Sequence, residues 1–170
     1  MLSPTRKVPA LHDGEVVVWD SLAICEYANE RWLDGAGWPS DPARRALARA
    51  AACEMHSGFA LLRSHLPMNC RRRPDGYRWS AATDEDIHRV QALWAHLRRH
   101  ADEGDFLLGR FGIVDAMFAP VVMRFVDYGV ELDVTAAAYV DAVRALPAMR
   151  EWEASAAAEV EIIEASERRG

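Results

Sequence analysis

Lys7-Val8-Pro9-Ala10-Leu11-His12-Asp13-Gly14-Glu15-Val16-Val17-Val18-Trp19-Asp20-Ser21-Leu22-Ala23-Ile24 decides the fold, because an apolar pair, a turn, a second apolar run and a helix start follow one another without interruption. Proline fixes φ and has no N–H, so Pro9 suits the first residue of a strand or an edge, with a cis bond as the form that turns the backbone toward a ligand. His12 to Glu15 contains an Asp-Gly pair, which reads as a hairpin turn between Ala10-Leu11 and Val16-Val18. Asp20 or Ser21 can cap a helix over Leu22 to Trp32. The amide N–H groups at that helix start, at the positive end of the dipole, suit a carboxylate.

Outward from this stretch, glycines and a proline in Asp34-Gly35-Ala36-Gly37-Trp38-Pro39-Ser40 read as a linker, which divides the chain into residues 1–33, the linker 34–40 and residues 41–170. Beyond the linker no period-two alternation persists and helical spacing recurs, so the fold class is mostly α. Ser40 or Asp41 caps a helix with Pro42 at its first position, running to about Leu66 before Pro67. Leu47, Ala51, Met55, Gly58, Phe59 and Leu62 form its apolar stripe. Thr83 and Asp86 read as a capping box for a helix carrying Ile87, Val90, Leu93, Trp94 and Leu97. Phe106 to Leu108 pack under the loop that Gly104 closes. Two amphipathic segments end the chain, one around Ala137 to Leu146 and one from Pro147 with Met149 and Trp152.

A chain of 170 residues with 51% hydrophobic and 27% charged residues is a folded globular protein. Its net charge of −6 disfavours nucleic acid as a partner. Three cysteines, Cys25, Cys53 and Cys70, fit neither zinc nor paired-disulfide spacing and suggest a reducing cytoplasm. The N-terminus has no signal-peptide pattern, and Asp115 interrupts the most apolar stretch, Phe111 to Phe125, so no membrane partner is expected.

The stretch from Lys7 to Trp32 resembles the second half of the thioredoxin-like N-terminal domain of glutathione transferases, where a Val-Pro with a cis proline and an acidic-Ser pair hold glutathione. Phe106-Leu107-Leu108-Gly109 with Gly112-Ile113-Val114-Asp115 and Ala119-Pro120 is similar to the start of the central buried helix in the same family's helical domain. The resemblance implies an all-helical C-terminal bundle after a truncated thioredoxin-like α/β fragment. It implies a cytoplasmic homodimer in detoxification, paired through the Asp41 to Leu66 and Leu22 to Trp32 helices. Glutathione is the implied substrate and an electrophilic small molecule its acceptor.

On that resemblance Val8 and Pro9 present main chain to the cysteinyl part of glutathione. Asp20 and Ser21 hold its γ-glutamyl amine and carboxylate, and Lys7 pairs with its glycine carboxylate. Met55, His56, Phe59 and Arg63 border the acceptor pocket. Asp115 is the structural cap of the central helix, with Gly112 standing where the family has Ser or Thr. The strand-helix-strand unit that bears the sulfur-activating Ser, Tyr or Cys needs about 30 residues or more. Only six residues precede Lys7, so that unit is expected to lie outside this chain. The catalytic residue then has no candidate here, and a non-catalytic binding or scaffold module, or a truncated inactive fragment, is the alternative function.

Plainer readings stand beside these. Asp20 and Ser21 can serve only as a cap, Lys7 and His12 can be merely solvated, and Met and Phe stripes are usually core. His96 and His100 are one helical turn apart but lack a third ligand, so no metal is expected. Arg71, Arg72, Arg73 and Arg78 with Tyr77 and Trp79 read as a solvated loop. Cys25, among apolar neighbours, reads as a buried thiol rather than a nucleophile.

Overall fold

The computed structural model describes residues 3–70 and 76–163. Strands β1 (Ala10–Asp13) and β2 (Val16–Trp19) pair antiparallel, with Ala10 opposite Trp19 and Asp13 opposite Val16. Gly14, at the first of the two loop residues, takes φ 59°, which only glycine adopts without cost. His12 therefore lies in β1 opposite Val17 rather than in the turn, a shift that places its side chain on the exposed face.

Helix α1 (Ser21–Trp32) follows at once, and the hairpin is tied to it where the Tyr27 hydroxyl donates to Asp13 Oδ2 at 2.8 Å. The remaining helices are α2 (Pro42–Ser57), α3 (Ala60–His65), α4 (Ala81–Arg98), α5 (Ile113–Asp127), α6 (Val134–Ala145) and α7 (Pro147–Ala158). This is the mostly helical fold, with a short thioredoxin-like fragment ahead of a bundle, that the periodicity and the resemblance predict.

The apolar faces of α2, α4, α5 and α6 meet around Trp94, whose ring lies 4.8 Å from Tyr139, 5.4 Å from Phe125 and 5.8 Å from Phe118. Ile113, Met117, Val121 and Phe125 are all buried in the same core, as their helical spacing around Asp115 predicts.

Two helix boundaries depart from the sequence reading. The helix from Pro42 does not reach Leu66: it ends at Ser57, Gly58 turns extended, and Phe59 takes a left-handed φ of 57° before α3 begins. Glycine weakens a helix interior by about 1 kcal/mol, and a contact from α4 favours the break. α3 has no side-chain cap of its own, yet the Leu62 N–H donates to Asp86 Oδ2 at 3.0 Å. Asp86 is thus occupied across the helix pair rather than in a capping box with Thr83. The cap of α4 is Ser80, which accepts from the Thr83 N–H at 3.3 Å, while buried Thr83 faces His65 Nδ1 at 2.5 Å.

The linker is packed rather than slack. The Gly37 N–H donates to Asn29 Oδ1 at 2.7 Å, the Ile113 N–H donates to the Gly37 carbonyl at 2.9 Å, and the Trp38 indole donates to Glu26 at 3.0 Å. This contact explains why glycine occupies position 112. A Cβ there would stand 2.8 Å from the Gly37 carbonyl oxygen, closer than a carbon and a backbone oxygen approach. Serine is the better N-cap in isolation, but Gly112→Ser is expected to destabilise the chain by about 1–3 kcal/mol through that overlap. A urea midpoint equal to or above wild type would contradict this.

Asp115 carries the cap instead. Its Oδ2 accepts from the Gly112 N–H at 2.8 Å and its Oδ1 from the Leu107 N–H at 3.0 Å. One fully buried carboxylate therefore closes the helix start and fixes the preceding loop.

Candidate functional site

The junction of hairpin, α1 and α2 forms the candidate site. Val8-Pro9 is a cis peptide, as its place before the strand suggests, and Val8 stands 94% exposed at the rim of the cleft. Asp20 is the N-cap of α1, accepting from the Leu22 N–H at 3.0 Å and the Ala23 N–H at 3.3 Å through Oδ1. It takes φ 78°, an uncommon value for a residue with a side chain, and Ser21 then opens the helix. A strained backbone held at a cleft is a pointer to function.

Lys7, Val8, Pro9, Asp20 and Ser21 line one cleft of about 530 Å³, together with Thr5, Trp19, His56 and Arg63. His56 reaches over from α2, its Nε2 lying 2.9 Å from Asp20 Oδ2. Each Asp20 oxygen is thus engaged, one by the helix start and one by the imidazole. Arg63 of α3 stands next to it and donates to the His56 carbonyl at 3.1 Å, so the break after Ser57 is what brings Arg63 to the cleft. A smaller pocket of about 150 Å³ continues from the cleft into the bundle, sharing Ser21, His56 and Arg63 and adding Met55, Ala116, Met117, Pro120 and Arg124.

Phe59, expected at the acceptor pocket, lines neither space. Its left-handed backbone turns it into the core, where it is 7% exposed. Met117, Pro120 and Arg124 were not anticipated there, although their spacing of three and four puts them on one stripe of α5. Arg124 is pulled down to about 10, first by burial and then by the nearby Arg63 charge.

The other candidates fall away from the cleft. Cys25 is half-buried, and burial, then Glu26 and Asp20, raise its thiol pKa, which suppresses the thiolate. His96 and His100 meet edge to face with ring centres 4.9 Å apart, and Arg99 stands 3.1 Å from His96 Nδ1. Among the described residues no group of three or more His, Cys, Asp or Glu is arranged to hold a metal. Arg71, Arg72 and Arg73 lie outside the described residues. Tyr77 packs on Tyr128 at 5.2 Å and the Trp79 indole donates to Asp84, so neither ring is presented for base stacking. No described helix is long and apolar enough to cross a membrane.

A second cleft, of about 360 Å³, lies away from the hairpin between the linker and the Asp102-Glu103 loop. Its cations are already engaged: Arg44 pairs with Asp102, and Arg110 donates to the Ala36 carbonyl at 2.9 Å.

A hairpin with a cis Val-Pro feeding a capped helix, set against a helical bundle, defines a thioredoxin-like fragment joined to a transferase-type helical domain. Residues 1–31 match the family model for the glutathione S-transferase N-terminal domain, and residues 80–155 the model for the glutathione S-transferase C-terminal domain. The chain belongs to the glutathione S-transferase family. It is 28% identical to glutathione S-transferase GstB of Escherichia coli K12 over 131 residues, 75% of this chain and 63% of that protein. It is 57% identical to a dichloromethane dehalogenase of Methylorubrum extorquens over 35 residues, 21% of this chain and 12% of that one. The chain thus spans less than two thirds of the length of these curated relatives. Among solved structures, a glutathione transferase homolog from Burkholderia with bound glutathione superposes with a TM-score of 0.68 at 23% identity, covering 93% of this chain and 77% of that one. The theta class glutathione S-transferase of Xanthomonas axonopodis pv. citri, also with glutathione bound, gives 0.63 at 26% identity, covering 88% and 73%.

Proposed function

We propose that this chain binds glutathione in the cleft of Lys7, Val8, Pro9, Asp20 and Ser21 and that its activity is transfer of the glutathione thiolate to an electrophilic small molecule. The observation that carries the reading is the convergence of these five residues, distant in role and separated by a hairpin, on one cleft. The exposed main chain at Val8 is available to pair with the cysteinyl backbone of the peptide. Ser21 and the N-terminal amides of α1 suit the γ-glutamyl carboxylate, and the Asp20 carboxylate suits its ammonium. Lys7 suits the glycine carboxylate at the far end. In transfer, the sulfur–carbon bond forms as the thiolate pair attacks the acceptor carbon, whose leaving group departs with the bonding pair. The bound glutathione of the Burkholderia and Xanthomonas structures supports the same ligand here.

Binding without turnover is the second reading. It is favoured by the lining of the cleft, which among the described residues offers the hydroxyls of Thr5 and Ser21 but neither a phenol nor a thiol. Equilibrium dialysis with glutathione tests the shared premise. Ser21→Ala is expected to weaken binding by about 1–3 kcal/mol through one lost hydrogen bond, and unchanged affinity would remove Ser21 from the site.

The same reading includes a cytoplasmic homodimer paired through α1 and α2. Trp32 and Leu33, at the end of α1, are 53% and 49% exposed and offer apolar surface for such pairing. Light scattering is expected to give twice the monomer mass of 19.0 kDa, and monomer alone at high concentration would contradict it.

A further inference from the structure

The smaller pocket beside the cleft carries positive charge that no carboxylate among the described residues balances. Arg63 and Arg124 both line it, one from α3 and one from α5. Among the described residues neither guanidinium has a carboxylate partner, although the chain holds 26 acidic against 20 basic residues and pairs five other arginines with carboxylates. Arg124 spends one nitrogen on the Pro120 carbonyl at 3.0 Å and the Met68 sulfur at 3.4 Å. Its Nε is buried and has no hydrogen-bond partner among the described residues. A buried N–H left unmade costs about 1–3 kcal/mol, more when charged, so the arrangement is favourable only if something fills the gap. The charge that Arg124 feels most strongly is that of Arg63, a second cation. An anion placed between the two would relieve the repulsion, satisfy the orphaned Nε and use the planar fork that suits a carboxylate.

The rest of the lining limits what the anion can be attached to. Met55 and Met117 supply apolar, adaptable walls, and about 150 Å³ is the share of roughly five water molecules. A small organic acid fits and a nucleotide or a peptide does not. Ser21 and His56 form the mouth shared with the larger cleft, so a molecule anchored on the arginines extends toward the place where a bound thiol would stand.

We infer that Arg63 and Arg124 form a carboxylate-binding subsite, and that the acceptor substrate is a small organic acid whose electrophilic carbon lies a few bonds from its carboxylate. This rests on the glutathione reading of the neighbouring cleft, and deepens it by naming the class of the second substrate.

The test is a titration of the full chain, labelled at arginine and followed by NMR at the arginine Nε–H signals, with propionate as the probe and propionamide as its neutral isostere. Propionate is expected to shift the Arg124 signal to saturation and propionamide to leave it unmoved. Arg124→Gln and Arg63→Gln should each weaken propionate at least tenfold. Arg63 is exposed and among the described residues bonds only to a backbone carbonyl, so its variant keeps the subsite testable should Arg124→Gln fail to fold. Equal response to propionamide, or full affinity in Arg63→Gln, overturns the subsite. Inorganic phosphate binding more tightly than propionate at the same signal overturns the carboxylate assignment.

Glutathione is then added to the propionate-saturated chain and read at the Ser21 amide. Simultaneous binding supports two adjacent subsites, whereas mutual exclusion assigns the arginines to glutathione and overturns the inference. A propionate response without any glutathione response at Ser21 removes the cleft's ligand and leaves the carboxylate subsite supported.

Discussion

Asp115→Ala is expected to lower the unfolding free energy by about 2–5 kcal/mol, because one substitution strips the acceptor from two N–H groups, a buried one at about 1–3 kcal/mol and a half-buried one at about 1–2 kcal/mol. Those donors are Gly112, at the start of α5, and Leu107, in the loop before it. The side chain is 0% exposed, so water cannot replace it without opening the core. For a chain of this size the change corresponds to a fall in thermal midpoint of about 5–15 °C. Asp141, exposed on α6, is the control, and a fall no greater than that of Asp141→Ala would show that the cap does not hold the helix.

The same carboxyl makes stability depend on pH in a direction opposite to that of most paired carboxylates. Burial lifts its pKa from 3.8 to about 6, against the opposing pull of the Leu107 and Gly112 hydrogen bonds. The folded chain then holds this proton more tightly than the unfolded one, so the linked stabilisation is complete below pH 3.8 and is lost as pH rises through about 6. Between those limits wild type should lose up to about 3 kcal/mol relative to Asp115→Asn, which does not titrate. Parallel stability curves for the two proteins over this range would refute the burial account.

Asp20 is expected to have the largest effect on ligand binding. Its two oxygens hold the start of α1 and His56, and the proposed γ-glutamyl ammonium adds a charged partner. Asp20→Ala should reduce glutathione affinity by a hundredfold or more and cost about 1–2 kcal/mol of stability through the lost cap. Asp20→Asn separates the two effects. Asparagine caps a helix about as well as aspartate, so stability should be retained while affinity falls at least tenfold with the missing charge. Retained affinity in Asp20→Asn would mean that the carboxylate serves the helix alone.

What the sequence disclosed was local. A Val-Pro, a hairpin at Gly14 and an Asp-Ser step before an apolar helix each act within a few residues and stand in the structure, although Asp13 closes β1 opposite Val16 and the turn is Gly14-Glu15 rather than Asp13-Gly14. The i, i+3, i+4 spacing likewise placed Trp94, Met117 and Phe125 in the core. Hidden from it were contacts between elements far apart in the chain. Nothing near Asp20 announces that His56 will reach it, nor near Asp86 that it will bind the Leu62 N–H and let the helix from Pro42 break at Gly58. Gly112 looked like a lost cap because the Gly37 carbonyl that forbids a side chain there lies on the linker. Arg124 escaped notice for a different reason: it follows the apolar stripe of α5, and only the placement of α3 makes it half of a charged pair.

Mapping glutathione onto the amide NMR signals of the full chain tests the central claim most directly. Saturable shifts should be largest at Val8, Ser21 and Leu22 and should vanish in Asp20→Ala. Largest shifts instead around Arg44 and Arg110, in the second cleft, or no saturable shift at any residue, would contradict the assignment of the hairpin cleft as the glutathione site.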